Sequence, residues 1–173
     1  MKITLIMAQT IDGKVARTEN EFINWTGSED KKVFVRETKR IGTVIMGRKT
    51  YDTIGHPLAG RHIIVLTRTP REAISDERGR VTFTKESNPT LLARLEIEGV
   101  TEVALGGGPS VNAQFLSAGL IDEIILTIGP KIFGTGLSLF EGIAVDQSLA
   151  LIKDEHLTPD TLLLHYRVLK PTV

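Results

Sequence analysis

Short, dense apolar runs alternate along this chain with mixed segments whose apolar residues recur at helical spacing. Lys2–Gln9, Thr43–Met46, His62–Thr67, Val81–Thr84 and Glu102–Leu105 are rich in Ile, Val and Leu, a pattern that predicts buried strands. Lys2–Gln9 is apolar almost throughout and reads as a central strand covered on both faces. Between these runs, Pro89–Glu98 sets Leu91, Leu92 and Leu95 on one helical face and stops at Gly99, and Ser110–Ser117 turns Val111, Phe115 and Leu116 inward. Another helix follows Ser28, a candidate N-cap, and runs to about Arg40. Its first turn carries Glu29 and Asp30, where the helix dipole favours carboxylates. Thr50–Ile54 predicts one or two helical turns, ended by Gly55, Pro57 and Gly60. A loop around Asp12-Gly13 leads to a short return strand at Val15-Ala16, and residues 69–80 read as a polar connector. Ser148–Leu157 and Thr161–Leu169 alternate as an antiparallel hairpin should, turning at Thr158-Pro159-Asp160, with Asp154 and Glu155 marking a break or bulge.

Composition narrows the classes without naming one. A chain of 173 residues is expected to form one compact domain, residues 1–173, with a substantial core. Its 21 basic and 21 acidic residues cancel, so bulk charge offers no argument for a nucleic acid or membrane partner. The absence of cysteine excludes disulfides and thiolate metal sites. The apolar opening run is too short for a leader or a membrane span, and Asp12-Gly13 interrupts it, so the expectation is a cytoplasmic protein. His56, His62, His156 and His165 show no spacing to an acid or a metal set and read as structural.

Residues 41–68 concentrate the candidate chemistry. Gly47 ends a buried strand, and Arg48, Lys49 and Thr50 follow at a helix start. Unpaired N–H groups, two formal charges and a hydroxyl there suit an anion such as a phosphate. From spacing alone, a plain βαβ unit with solvated cations on its rim explains the same residues equally well. Gly106-Gly107-Gly108-Pro109-Ser110 repeats the theme between a strand and a helix: bare backbone can approach a pyrophosphate closely, and Pro109 suits a first helical turn. Asp30, read alone, is a dipole partner.

The stretch VIMGRKTYDTIGHPLAGRHIIVLTR, residues 44–68, resembles the central segment of dihydrofolate reductases, V-x-M-G-R-x-T-[WY]-x-S-I-G-x-P-L-x-G-R-x-x-I-V-L-[ST]. The opening pattern M-A-x-x-x-D-G-K-[IV]-A is similar to that family's first strand and active-site loop, which closes over the nicotinamide. The resemblance implies an α/β fold of three α/β/α layers: a mostly parallel central sheet closed by a C-terminal antiparallel hairpin. It implies NADPH as cofactor, held by Val15, Ala16, Gly47, Arg48, Lys49, Thr50, Thr67, Arg68, Gly106, Gly107, Gly108, Pro109, Ser110 and Val111. Thr67 and Arg68 fall where the family meets the adenosine 2′-phosphate. Asp30 takes the catalytic place, as the one pocket carboxylate that pairs with two N–H donors of the substrate ring and aids proton delivery. Ala8, Trp25, Phe34, Ile54, Arg61 and Thr127 take the substrate-binding places, Arg61 as the partner of a folate tail carboxylate. Lys31 departs from the family's apolar preference, and the aromatic expected just after the glycines is replaced by Ser110-Val111.

The second half resembles a different branch. AGLIDEIILTIGPKIFGTGLSLFEG, residues 118–142, is similar to A-G-L-[IV]-D-E-[IL]-x-L-x-[IV]-x-P-x-[IL]-x-G-x-G-x-x-L-F of the reductase domain in riboflavin-pathway deaminase-reductases. The expected activity is therefore hydride transfer from NADPH to a C=N bond. Dihydrofolate is the first substrate expected. The alternative is the ribosylaminopyrimidine phosphate of riboflavin synthesis, in a stand-alone reductase, with Lys31 and Arg61 gripping the phosphate. A third reading is a non-catalytic NADPH-binding homodimer, associating through exposed Phe133, Leu137, Leu139 and Phe140. The expected partners are otherwise a small pterin or pyrimidine, with no nucleic acid and no membrane.

Overall fold

A computed structural model describes residues 1–19, 21 and 23–170. Eleven strands and four helices follow in the order β1 (Lys2–Thr10), β2 (Lys14–Ala16), α1 (Gly27–Ile41), β3 (Thr43–Gly47), α2 (Arg48–Ile54), β4 (His62–Leu66), β5 (Ile74–Asp76), β6 (Gly79–Thr84), α3 (Asn88–Ile97), β7 (Glu102–Leu105), α4 (Pro109–Ser117), β8 (Glu123–Gly129), β9 (Leu137–Ser138), β10 (Leu149–Thr158) and β11 (Thr161–Val168). Nine strands form one sheet in the order β10-β11-β8-β1-β7-β3-β4-β6-β5. The run from β8 to β6 is parallel, and β5, β10 and β11 pair antiparallel at the two ends. β2 and β9 make a separate small ribbon.

Side-chain alternation divides the core into two layers. Ile3, Leu5, Ile45 and Ile64 face α3 and α4, with Leu91, Leu95 and Phe115 packed on them. Ile6, Val44, Met46, Ile63 and Val65 face the opposite way, toward Val33 of α1 and Tyr51 of α2. Strands that are apolar on both faces must be covered on both, which is why the parallel centre carries helices on each side. Three layers result, as the resemblance implied.

Several local expectations change. The N-cap of α1 is Thr26, not Ser28, and the Ser28 hydroxyl bonds Glu29 at 3.2 Å. α2 begins at Arg48, so both cations lie inside the helix rather than before it. The polar connector at 69–80 contains β5 and the start of β6, a short edge hairpin whose polar composition hides its pairing. The hairpin's register shifts fall between Leu151 and Lys153 and between His156 and Thr158, leaving Asp154 and Glu155 in regular pairing. Leu139 is buried, and Phe133, Leu137 and Phe140 are only partly exposed, Leu137 and Phe140 packing against the α3/α4 core layer. Among the described residues, no helix is long and apolar enough to cross a membrane.

Candidate active site

The helices after β3 and β7 leave these adjacent strands on opposite faces of the sheet. In open parallel sheets such a switch point opens a crevice at the carboxyl ends of the strands, where ligands bind. Here it is walled by two glycine turns in direct contact. Gly47 N–H donates to Gly107 O at 2.8 Å, and Gly106 N–H to Ile45 O at 2.8 Å. A Cβ at Gly47 would meet Val111 Cγ2 at 3.0 Å, and one at Gly108 would meet Thr50 Oγ1 at 2.9 Å. The peptide between Gly107 and Gly108 is cis. Both following helices have glycine N-caps, Gly47 and Gly108, so no capping side chain covers their first turns. Bare backbone and helix-start donors fit the pyrophosphate of a dinucleotide such as NADPH. Thr67 and Arg68 follow β4 one strand along, since Gly47 is in register with Leu66. Arg68 is exposed and without an ion-pair partner among the described residues. Arg48 pairs with Asp52 at 2.6 Å, Arg71 joins the same carboxylate at 3.2 Å, and Lys49 pairs with Glu19. An incoming phosphate would therefore share these cations with carboxylates.

The second half of the crevice lies on the α1 side. Asp30, in the first turn of α1, is half-buried and has no hydrogen-bond or ion-pair partner among the described residues. Phe34, one turn on, and Ile54, at the end of α2, both pack on the core layer of Met46 and Tyr51. Ala8 and Thr127 sit side by side in the β1–β8 register, and both point to the α1 face by alternation with Ile6 and Ile125. Thr127 is almost fully buried. Asp30, Phe34, Ile54, Ala8 and Thr127 thus lie on the same face of the sheet, a carboxylate and a hydroxyl among apolar side chains. Trp25 closes one end: its Nε1 donates to Val15 O at 3.2 Å, and its ring lies against Gly129, where a Cβ would meet Cζ3 at 2.8 Å.

Arg61 does not join this group. It is only 7% exposed, Nη1 donates to Thr38 Oγ1 at 2.9 Å, and Nε donates to Ala59 O at 3.2 Å. Thr38 is free to accept because its own hydroxyl donates back to Phe34 O at 2.6 Å. Burial lowers the Arg61 pKa. The tail-binding role is corrected accordingly: the guanidinium braces the loop before β4 against α1. His165, read as unpaired, lies 2.8 Å from Glu123 at the far end of the sheet. That end also holds an open hollow of about 580 Å³, lined by Met1, Lys2, Asp122, Glu123 and the end of β11. It lies at the amino ends of β1 and β8, away from both glycine turns, and we do not assign the chemistry to it.

Residues that pattern reading missed tie the crevice's outer wall together. Asp12, read as a turn residue, accepts from Thr10 Oγ1 at 2.5 Å, Gly134 N–H at 2.7 Å and Phe133 N–H at 3.2 Å. Asn112 Nδ2 donates to Leu139 O at 3.0 Å. Apart from the local Thr10–Asp12 bond, these join segments distant in sequence, so no local spacing signals them. Between β2 and α1, residues 20 and 22 lie outside the described residues.

Comparison with known proteins places this geometry in context. Residues 1–163 match the model of the RibD C-terminal domain. The chain is 29% identical over 158 residues to the uncharacterised protein YwjB of Bacillus subtilis, covering 87% of this chain and 88% of that one. It superposes with a TM-score of 0.80 and 19% identity on a diaminohydroxyphosphoribosylaminopyrimidine deaminase/5-amino-6-(5-phosphoribosylamino)uracil reductase from Thermotoga maritima, covering 97% of this chain and 56% of the other. Similarity to dihydrofolate reductase type A13 of Escherichia coli is higher, 46%, but spans 46 residues, 27% of each chain.

Proposed function

The chain belongs to the RibD C-terminal domain family, whose reductase members are NADPH-dependent oxidoreductases, and from that premise we propose that it reduces a ribosylaminopyrimidine phosphate of riboflavin synthesis. The observation that carries this reading is the extent of the family match, residues 1–163, which includes every wall of the crevice. The likeness to a folate enzyme is confined to a quarter of the chain. Arg61 does not decide between the two substrates, because its inward hydrogen bonds withdraw it both from a folate glutamate tail and from the substrate phosphate it was expected to grip with Lys31. Lys31, exposed beside Asp30, suits a substrate phosphate.

NADPH, when bound, supplies the hydride. The residues of this chain do the rest. The glycine turns and the first turns of α2 and α4 would hold the pyrophosphate, and Arg68 would meet the 2′-phosphate. Asp30 would pair with the N–H edge of the pyrimidine and orient the substrate in the crevice. Its carboxylate also orders the proton donor that serves the imine nitrogen, so one hydride and one proton complete the reduction. Phe34, Ile54 and Trp25 exclude water from the ring.

The test follows nicotinamide absorbance with purified protein, offering the ribosylaminopyrimidine phosphate and dihydrofolate separately, each with and without methotrexate. Turnover of the pyrimidine is the expected outcome. Rapid, methotrexate-sensitive oxidation with dihydrofolate alone would overturn it in favour of folate reduction, the reading that the 46-residue match supports. NADPH binding without turnover of either would leave the non-catalytic reading.

A further inference from the structure

Asp12 makes more long-range bonds than any acid the chemistry uses. Its two carboxylate oxygens accept from Thr10 Oγ1 and from the consecutive backbone N–H groups of Phe133 and Gly134, 121 and 122 residues away. Thr10 Oγ1 in turn accepts from Lys14 N–H at 2.9 Å, and Ile11 N–H donates to Lys131 O at 3.0 Å. Beyond the clasp, β2 pairs with β9, and Gly136 must lack a side chain because a Cβ there would collide with Ala16 O. The ring held at the centre is Phe133. The guanidinium of Arg17 lies 3.9 Å over it, and Trp25 meets it edge-on at 5.3 Å.

We propose that Asp12 is a positioning residue of the crevice: by clasping the loop at 131–136 it fixes Phe133, and through Phe133 it sets Trp25 against Val15 so that the outer wall is formed before any ligand arrives. Two backbone donors converging on one carboxylate define a direction as well as a distance, which a turn residue facing solvent does not. Charged acceptors make the stronger bonds, and Thr10 supplies a third donor that keeps the carboxylate from rotating away. Trp25 donates its one indole N–H to Val15 O and packs its ring on Gly129, and Phe133 meets that ring edge-on from the clasped loop. The effect on cofactor affinity rests on reading the crevice as an NADPH site; the clasp itself does not.

Trp25 is the sole tryptophan in the chain, so its emission reports on this wall alone. The experiment compares acrylamide quenching of Trp25 in wild type and Asp12→Asn, without ligand, and then titrates both with NADPH. Asn keeps the size but replaces one acceptor with a donor facing two N–H groups. Quenching is expected to rise severalfold, and NADPH binding to weaken roughly tenfold, with the melting temperature close to that of wild type. Phe133→Leu, which keeps an apolar side chain but removes the ring edge, should reproduce the quenching change and serves if Asp12→Asn does not fold. Unchanged quenching in a folded variant overturns the proposal. A wild type that binds no NADPH overturns the proposed function instead, and the quenching comparison then decides the clasp by itself.

Discussion

The parallel centre of the sheet and its terminal hairpin are parts of one hydrogen-bonded layer, yet they live under different rules. Ile63, Ile64 and Val65 on β4 and Val44, Ile45 and Met46 on β3 are fully buried, with helices on both faces. On β10, the outermost strand, Leu149, Leu151 and Ile152 are each about half exposed. Backbone pairing runs through both regions, shifted in register only along β10, so pairing is not what chiefly separates them. Helix coverage is. The covered region can hold tightly apposed glycine turns at its carboxyl ends, and that is where the crevice forms. The hairpin carries no candidate catalytic residue.

Truncating a covered side chain should have the largest effect. Ile64→Ala is expected to cost about 2–5 kcal/mol of stability, because the layer beneath α3 cannot collapse around the void. Denaturant unfolding measures it, and a cost below about 1 kcal/mol would mean the central strands are no tighter than the edge. Next comes a change that should touch chemistry and leave the core intact. Asp30→Asn is expected to lower turnover about 100-fold or more while NADPH binding and melting temperature stay near wild type. Unchanged turnover would remove Asp30 from the mechanism.

A smaller effect concerns protons. Burial, with a contribution from the charge of Arg80, holds His62 below the ordinary imidazole value, and its Nε2 lies 2.8 Å from Thr82 Oγ1. The unfolded chain then binds the proton more readily than the native state. Stability from this residue is complete above about pH 6.5 and falls as pH drops below it toward the native value, by at most about 1.4 kcal/mol per pH unit. His62→Gln should flatten that part of the stability–pH curve relative to wild type, and an identical slope in both proteins would exclude it. The smallest effect is expected on β10. Leu151→Thr, on the exposed edge, should change stability by no more than about 0.5 kcal/mol in the same unfolding experiment. A loss as large as that of Ile64→Ala would show that something covers the hairpin in solution.

The local pattern of the chain was enough for the covered region. Apolar runs of four to eight residues marked β1, β3, β4 and β7, because strands buried on both faces carry few polar positions to confuse the reading. The same pattern missed β5, whose Ile74-Ser75-Asp76 has the polarity of a loop, since an edge strand answers to water on most of its surface. The glycine turns were legible because close backbone approach requires that residue type and nothing larger. Asp30, Phe34 and Ile54 were singled out only through a resemblance, and the fold sets them on the α1 face of the sheet.

What only the tertiary structure decided is which polar group meets which. Arg61 was expected to meet a ligand and instead meets Thr38 and Ala59. His165 was read as unpaired and lies against Glu123. Asp12 was a turn residue by pattern and is the clasp on Phe133 and Gly134. Hydrophobic period is a property of neighbouring positions, so it survives in the linear sequence. A hydrogen bond depends on the direction and distance of two groups that the chain brings together from 121 residues apart, and that relation exists only once the sheet has closed.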